Sequence, residues 1–142
     1  MVITVEKYII KRLTLKNVIL RDRSLTNIKI PLRYRPDVLM FFPRRNHYVI
    51  LEIDERQHNS YKEDKELVRY IRIRDEFSKL GTLQIVRFNP DGYISKYDKV
   101  LLKDRITPLQ KLINKCISSR KDGLHHLYFS KINKHMIMAK NI

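Results

Sequence analysis

The chain has 142 residues, the size of one domain with a moderate core, and its hydrophobic fraction of 43% is ordinary for a folded protein. Thirty Lys and Arg residues against fifteen Asp and Glu residues give a formal net charge of +15, which predicts a polyanionic partner. Cys116 is the only cysteine, which excludes an internal disulfide and a Cys/His zinc cluster.

The amino-terminal sequence lacks the basic, apolar and small regions of a signal peptide, and no apolar run approaches the roughly 18 residues that span a bilayer. We therefore expect a soluble intracellular protein, cytoplasmic or nuclear and not secreted, with no membrane partner. Acidic membranes and acidic proteins also attract basic chains, but neither terminus contains an amphipathic basic helix with a broad apolar face. Nucleic acid is the expected partner, and homodimerisation stays open.

Hydrophobic periodicity and turn residues predict a mixed α/β domain over residues 1–142. In chain order they predict a helix over 3–15, strands over 27–33 and 37–42, a turn at 43–46, a strand over 47–53, a helix from 59 or 60 to 80, a strand over 82–88, a turn at 89–92 and a helical segment over 98–118 interrupted at Pro108. A basic extension begins at about residue 120. The last twenty residues alternate loosely and favour either a strand pair or a basic tail.

The acidic residues are unevenly distributed along this basic chain. Eight of the fifteen carboxylates lie between Glu52 and Glu76, so an acidic centre is expected inside a positive rim. Metal-dependent nucleases need this arrangement, because basic side chains hold phosphates while carboxylates hold the cation.

Asp37 and Glu52 are the strongest candidates within this acidic centre. A turn centred at residues 44–45 pairs positions whose numbers sum to about 89, which places Asp37 opposite Glu52 on adjacent antiparallel strands. Glu52 and Asp54 point to the same face, because side chains alternate along a strand. Two carboxylates at one end of a sheet suit Mg²⁺, with Mn²⁺ as a substitute.

His58 lies just beyond the end of the same strand and is the candidate proton-transfer group, since imidazole titrates near neutral pH. Asp54 and Glu55 would orient water, a second ion or a basic side chain. Each of these residues also has an ordinary interpretation, as a solvated strand-end carboxylate, a salt-bridge partner or a helix-entry histidine.

The chain resembles the very-short-patch-repair-like branch of the restriction-endonuclease-like superfamily. The resemblance covers roughly residues 33–92, and its motifs are Arg35-Pro36-Asp37, Glu52-x-Asp54-Glu55-x-x-His58, Glu66-x-x-Arg69, Leu80-Gly81 and Val86-Arg87-Phe88. It implies a central mixed sheet flanked by helices, with the metal at the split between two strands, and a metal-dependent DNA endonuclease acting on double-stranded or branched DNA.

The resemblance also assigns roles to individual residues. Asp37 and Glu52 match the two carboxylates of the PD-(D/E)xK pattern, and Ile53 is assigned to the metal site with them. Asp54 stands where the wider pattern has lysine, and His58 stands where this branch has its histidine. Further expected site residues are a first-helix carboxylate, which only Glu6 can supply, and supporting side chains around the carboxylates: Glu55, Gln57, Glu66 and Arg69. For Glu66 and Arg69 an ordinary surface ion pair is the alternative.

Phosphate contacts are expected from basic side chains, for each of which a solvated charge or a salt bridge is the alternative. The candidates are Lys7, Lys11, Arg12, Arg33, Arg35, Arg44, Arg45, Arg87, Lys111, Lys115 and Arg120. Two functional alternatives remain: a catalytically inactive DNA- or RNA-binding module of the same fold, and a structural assembly subunit with a basic face.

Overall fold

A computed structural model describes residues 4–21, 24–25, 36–53, 63–90, 93–94, 99–127 and 136–138 of the chain. Within these residues the helices are α1 (Val5–Arg12), α2 (Glu63–Phe77) and α3 (Leu102–Ser118). The strands are β1 (Val18–Arg21), β2 (Ser24–Leu25), β3 (Val38–Phe42), β4 (His47–Ile53), β5 (Thr82–Phe88), β6 (Tyr93–Ile94), β7 (Lys99–Val100), β8 (Gly123–Leu127) and β9 (Met136–Met138). The protein is therefore α/β, as its sequence predicts.

A mixed sheet forms the centre of the fold, with the strand order β2-β1-β3-β4-β5-β8-β9. Strand β1 pairs antiparallel with both β2 and β3, and β3 pairs antiparallel with β4. Strands β4, β5 and β8 are parallel, and β9 is antiparallel to β8. Strands β6 and β7 form a separate antiparallel pair. Strands β4 and β5 lie in the interior of the sheet and are covered on both faces, which fits the apolar residues that make up most of each strand.

The two faces of the sheet carry separate hydrophobic cores. Helices α1 and α3 cover one face, where Ile9, Leu109 and Ile113 pack against Leu51 and Val86. Helix α2 covers the other face through an apolar stripe that packs against alternate positions of the same strands, Ile50 and Ile85 among them. A side chain on β4 or β5 therefore meets either α2 or the α1–α3 layer, according to its position along the strand.

Helix α3 is continuous through Pro108, where sequence analysis predicts an interruption. Proline inside a helix removes one main-chain hydrogen bond and costs about 3 kcal/mol. Four apolar or weakly polar side chains on one side of α3 are buried in the core, which offsets that cost: Leu109, Leu112, Ile113 and Cys116.

Several predicted elements match the structure closely. Strands β4 and β5 have the predicted bounds, β3 begins one residue later than predicted, and α1 and α2 are shorter than predicted. Strand β1 is an addition that the sequence pattern did not indicate. The predicted strand over 27–33 lies outside the described residues. Residues 123–127 form the buried strand β8, paired with β9, which matches the strand-pair alternative for these residues.

Among the residues described above, no helix is both long enough and apolar enough to traverse a bilayer.

Candidate active site

Asp37 and Glu52 lie side by side where β3 begins and β4 ends. The paired residues of these strands run from Val38 opposite Leu51 to Phe42 opposite His47, and one further step places Asp37 opposite Glu52. Every pair sums to 89, so the register predicted from the turn is confirmed.

A short connection sets this register. A single 3₁₀ turn at Pro43–Arg45 leads into Asn46, whose φ of 46° and ψ of 53° lie in the left-handed region that asparagine tolerates. The Asn46 carbonyl accepts a hydrogen bond of 2.9 Å from the amide of Thr82 at the start of β5. A one-residue slip between β3 and β4 would turn every side chain of one strand to the opposite face. Such a slip is unfavourable because it would disrupt the packing of both hydrophobic cores.

Main-chain donors hold both carboxylates. The amide of Asp37 donates to Oε1 of Glu52 at 3.2 Å, and the amide of Ile53 donates to Oδ2 of Asp37 at 2.8 Å. Asp37 is 3% exposed and Glu52 is 6% exposed. Each acidic side chain is therefore fixed by the backbone of the neighbouring strand, and the two negative charges are confined to one buried place.

Two arginines bring positive charge to this acidic pair. Arg69 of α2 places Nη2 3.9 Å from Oε2 of Glu52, and its side chain is 42% exposed. Arg87 of β5 is the register partner of Glu52 and is only 6% exposed. Because paired residues of a parallel ladder lie on one face, Glu52 and Arg87 point to the α2 side of the sheet.

A buried histidine extends this row of polar residues. His126 of β8 is the register partner of Arg87, so Glu52, Arg87 and His126 lie in line across three parallel strands. Burial, followed by the charges of Arg87 and His125, lowers the pKa of His126 from 6.5 to about 3. His126 is therefore neutral at physiological pH. The sequence pattern did not indicate His126 as a site residue, because two adjacent histidines make residues 123–127 look polar.

Asp37 and Glu52 offer hard oxygen donors of the kind that Mg²⁺ and Mn²⁺ prefer. Ile53 could add only its main-chain carbonyl. Across the described ranges, no group of three or more His, Cys, Asp or Glu residues is arranged to hold a metal ion. The two carboxylates thus fit one side of a divalent ion's shell, which also takes waters and a substrate phosphate.

The remaining predicted site residues are only partly described. Asp54, Glu55, Gln57 and His58 lie outside the described residues, as do Arg33 and Arg35. Glu66 is in α2, but only its backbone is described. Glu6 is in the first turn of α1, on the helix layer that covers the sheet face opposite α2.

Comparison with protein-family models, curated proteins and solved structures returned no match. The candidate site is therefore defined by the residues of this chain and their placement.

The predicted phosphate contacts lie on different parts of the molecule. Lys7, Lys11 and Arg12 are exposed on α1, and the Arg12 guanidinium lies 3.5 Å from the centre of the Tyr8 ring. Lys111 and Lys115 are exposed on α3. Arg44, Arg45 and Arg120 lie at the end of the sheet where β4 begins, away from the carboxylates. Arg87 is instead buried beside Glu52, where solvent hardly reaches it.

Proposed function

We propose that this protein is an intracellular, metal-dependent DNA endonuclease that hydrolyses phosphodiester bonds at the Asp37–Glu52 pair. The observation that carries this proposal is two buried carboxylates held together at the end of a central strand in a chain of net charge +15. Ligands of open α/β sheets bind beyond the carboxyl ends of the strands, where Glu52 lies. Basic side chains elsewhere on the surface would hold the phosphodiester backbone.

Asp37 and Glu52 would hold Mg²⁺ or Mn²⁺, and the main-chain amides of Asp37 and Ile53 would keep both carboxylates oriented. A bound divalent ion supplies Lewis acidity that stabilises charge developing on the scissile phosphate. By resemblance, His58 would transfer a proton to or from the reacting oxygens. The same resemblance favours DNA, double-stranded or branched, over RNA. Net charge does not distinguish these two polyanions.

A catalytically inactive nucleic-acid-binding module is the second candidate. The observation that favours it is the placement of Arg69 and Arg87 around Glu52, since these cations compensate the buried charge without any metal ion. In that case the carboxylates and arginines would form a structural ion-pair network, of the kind that can also occupy a protein interior.

Cleavage assays separate the two candidates. Purified protein is incubated with supercoiled plasmid and with branched and mismatched duplexes in Mg²⁺, Mn²⁺ or EDTA. The endonuclease proposal expects nicking or cutting with either metal and none with EDTA. We expect Asp37→Asn and Glu52→Gln, which keep the shape of each side chain, to lower the cleavage rate at least a hundredfold.

The matched control is Asp75→Asn, because the Asp75 side chain is 64% exposed near the carboxyl end of α2. It should cleave at the wild-type rate. Thermal unfolding of all three variants separates a lost reaction from a lost fold. Binding to DNA with no cleavage under any metal condition would reject the endonuclease and support the binding module.

A further inference from the structure

A cationic site lies at the opposite end of the sheet from the Asp37–Glu52 pair. We call it the arginine groove and define it by its lining residues: Arg44, Arg45, His47, Thr82, Ser119 and Arg120. Its volume is about 230 Å³, which leaves room for an oxyanion and several waters, since a water takes about 30 Å³. Three guanidinium groups line it, and none of its lining residues is acidic.

Its arginines exceed what the local fold requires. Arg45 donates from Nη1 to the Ser119 carbonyl at 3.5 Å and lies 5.5 Å from the centre of the Phe42 ring, so it has a partial structural role at the end of α3. Within the described part of the chain, Arg44 and Arg120 have no ion-pair or hydrogen-bond partner, and both are exposed. Their charges are therefore available to a ligand.

Neutral groups of the groove complete the donor set. Ser119 Oγ accepts hydrogen bonds from the Gln84 side-chain amide at 3.0 Å and from the Lys121 amide at 3.2 Å. Both are bonds in which the oxygen accepts, so the hydroxyl hydrogen can be donated to an anion.

His47 forms the inner wall and does not add a charge. Its Nε2–H donates to the Cys116 carbonyl at 2.8 Å, because a carbonyl can only accept, and Nδ1 accepts from the Thr82 hydroxyl at 2.6 Å. Burial lowers the pKa of His47 against the opposing effect of its bond to Cys116.

The arginine groove is remote from the carboxylates. His47 and Ile53 are the two ends of β4, and six steps of a strand span about 20 Å. The groove also lies on the α3 side of the sheet, since the His47 ring bonds to α3, whereas Glu52 points to the α2 side. A phosphate bound in the groove is therefore a different phosphate from one at the Asp37–Glu52 pair.

We propose that the arginine groove binds a backbone phosphate of nucleic acid at a second contact, separate from the Asp37–Glu52 pair. Planar guanidinium groups bind phosphate oxygens in a bidentate manner, which suits three arginines around one small cavity. The identity of the ligand rests on the proposed function, whereas the phosphate chemistry rests on the groove itself. Two contacts on opposite faces, about 20 Å apart along β4, favour a bent or branched substrate over a straight duplex.

Binding measured in EDTA tests this proposal without any cleavage. Fluorescence anisotropy of a labelled branched duplex is recorded across a salt series for wild type, for the double variant Arg44→Ala/Arg120→Ala and for the control Lys16→Ala/Lys103→Ala. The slope of log affinity against log salt concentration is negative, and each lost phosphate contact reduces its magnitude by about 0.9. The groove is proposed to bind one phosphate, so the slope of the arginine variant should be smaller in magnitude than that of wild type by about 0.9. Its affinity should therefore fall about 3.5-fold less than that of wild type between 50 and 200 mM salt.

The control removes the same charge at exposed positions outside the groove, so it should change the slope less than the arginine variant does. Inorganic phosphate, followed by amide NMR, should shift the signals of Ser119 and Lys121 in wild type and not in the arginine variant. Equal slopes for both double variants would overturn the proposal. So would phosphate shifts at Ser119 that DNA fails to reproduce, because the groove would then serve a small phosphorylated ligand.

Cleavage distinguishes this proposal from the preceding one. If the double arginine variant binds and cleaves DNA as wild type does, the groove proposal fails and the endonuclease stands. If wild type never cleaves but the slope falls as expected, the endonuclease fails and the second phosphate contact stands.

Discussion

The buried imidazole of His126 predicts a loss of stability in mild acid. Its pKa is lowered from 6.5 to about 3, chiefly by burial and then by the charges of Arg87 and His125. Between these two values the unfolded chain binds a proton at this position while the folded protein does not, so acid favours unfolding. Stability should therefore be complete above pH 6.5 and should fall as the pH drops toward 3.

The size of the effect follows from the two pKa values. At pH 5 an unfolded-state value of 6.5 and a folded-state value of about 3 give a destabilisation of about 2 kcal/mol, with almost none at pH 7. A folded-state value anywhere below about 4 gives nearly the same result at pH 5, because the folded protein is then unprotonated at that pH. His47 acts in the same direction, since its pKa is also lowered.

Urea unfolding at pH 7 and pH 5 measures this difference directly. Wild type should lose at least about 2 kcal/mol between the two pH values, whereas His126→Gln and His126→Leu should lose about 2 kcal/mol less than wild type does. The comparison is between pH values within each variant, so the intrinsic cost of either substitution cancels. Parallel losses in wild type and both variants would show that His126 is protonated in the folded state or accessible to water, which would refute the reasoning.

Three further predictions concern stability and reactivity. Gly81→Ala should lower the free energy of unfolding by about 1–3 kcal/mol, because a Cβ would lie 1.7 Å from the Asn46 carbonyl oxygen. An unchanged midpoint of urea unfolding would contradict this. Arg105→Met should lower the free energy of unfolding by about 3 kcal/mol, since buried Arg105 donates to two carbonyls just beyond β5 at 2.9 and 3.2 Å. A decrease in Tm of less than about 2 °C would argue against this role. Cys116 should react with a thiol reagent at pH 8 far more slowly in the folded protein than in urea, because burial raises the pKa of its thiol to about 12. Equal reaction rates in the two conditions would show that the thiol is not buried.

The sequence predicts the site register because that register is local. Four residues from Pro43 to Asn46 join β3 to β4, so counting outward from the turn is enough to bring Asp37 opposite Glu52. Strands β4 and β5 were also predictable from sequence, since a strand buried on both faces consists mostly of β-branched, aromatic and other apolar residues.

Features that depend on distant partners were not predictable in this way. His125 and His126 make residues 123–127 look polar, yet both are buried, and His125 contacts Gln84 of β5 through a bond of 2.6 Å between Nε2 and Oε1. Strand β1 gains its place by pairing with β3, across twenty residues of sequence. The interruption predicted at Pro108 was wrong because burial of the α3 face outweighs one lost helical bond.

Arg69 and Arg87 both lie next to Glu52, so the charge balance of the Asp37–Glu52 pair includes these two arginines. Two buried acids are costly side by side unless positive charge is near, and one of the two arginines is itself buried. Arg87 lies within the sheet and is 6% exposed, whereas the Arg69 side chain is 42% exposed, with its Nη2 3.9 Å from Oε2 of Glu52. If Asp37 and Glu52 hold a divalent ion, as we propose, Arg69 is the arginine better placed to move away from it, because its side chain is the more exposed of the two.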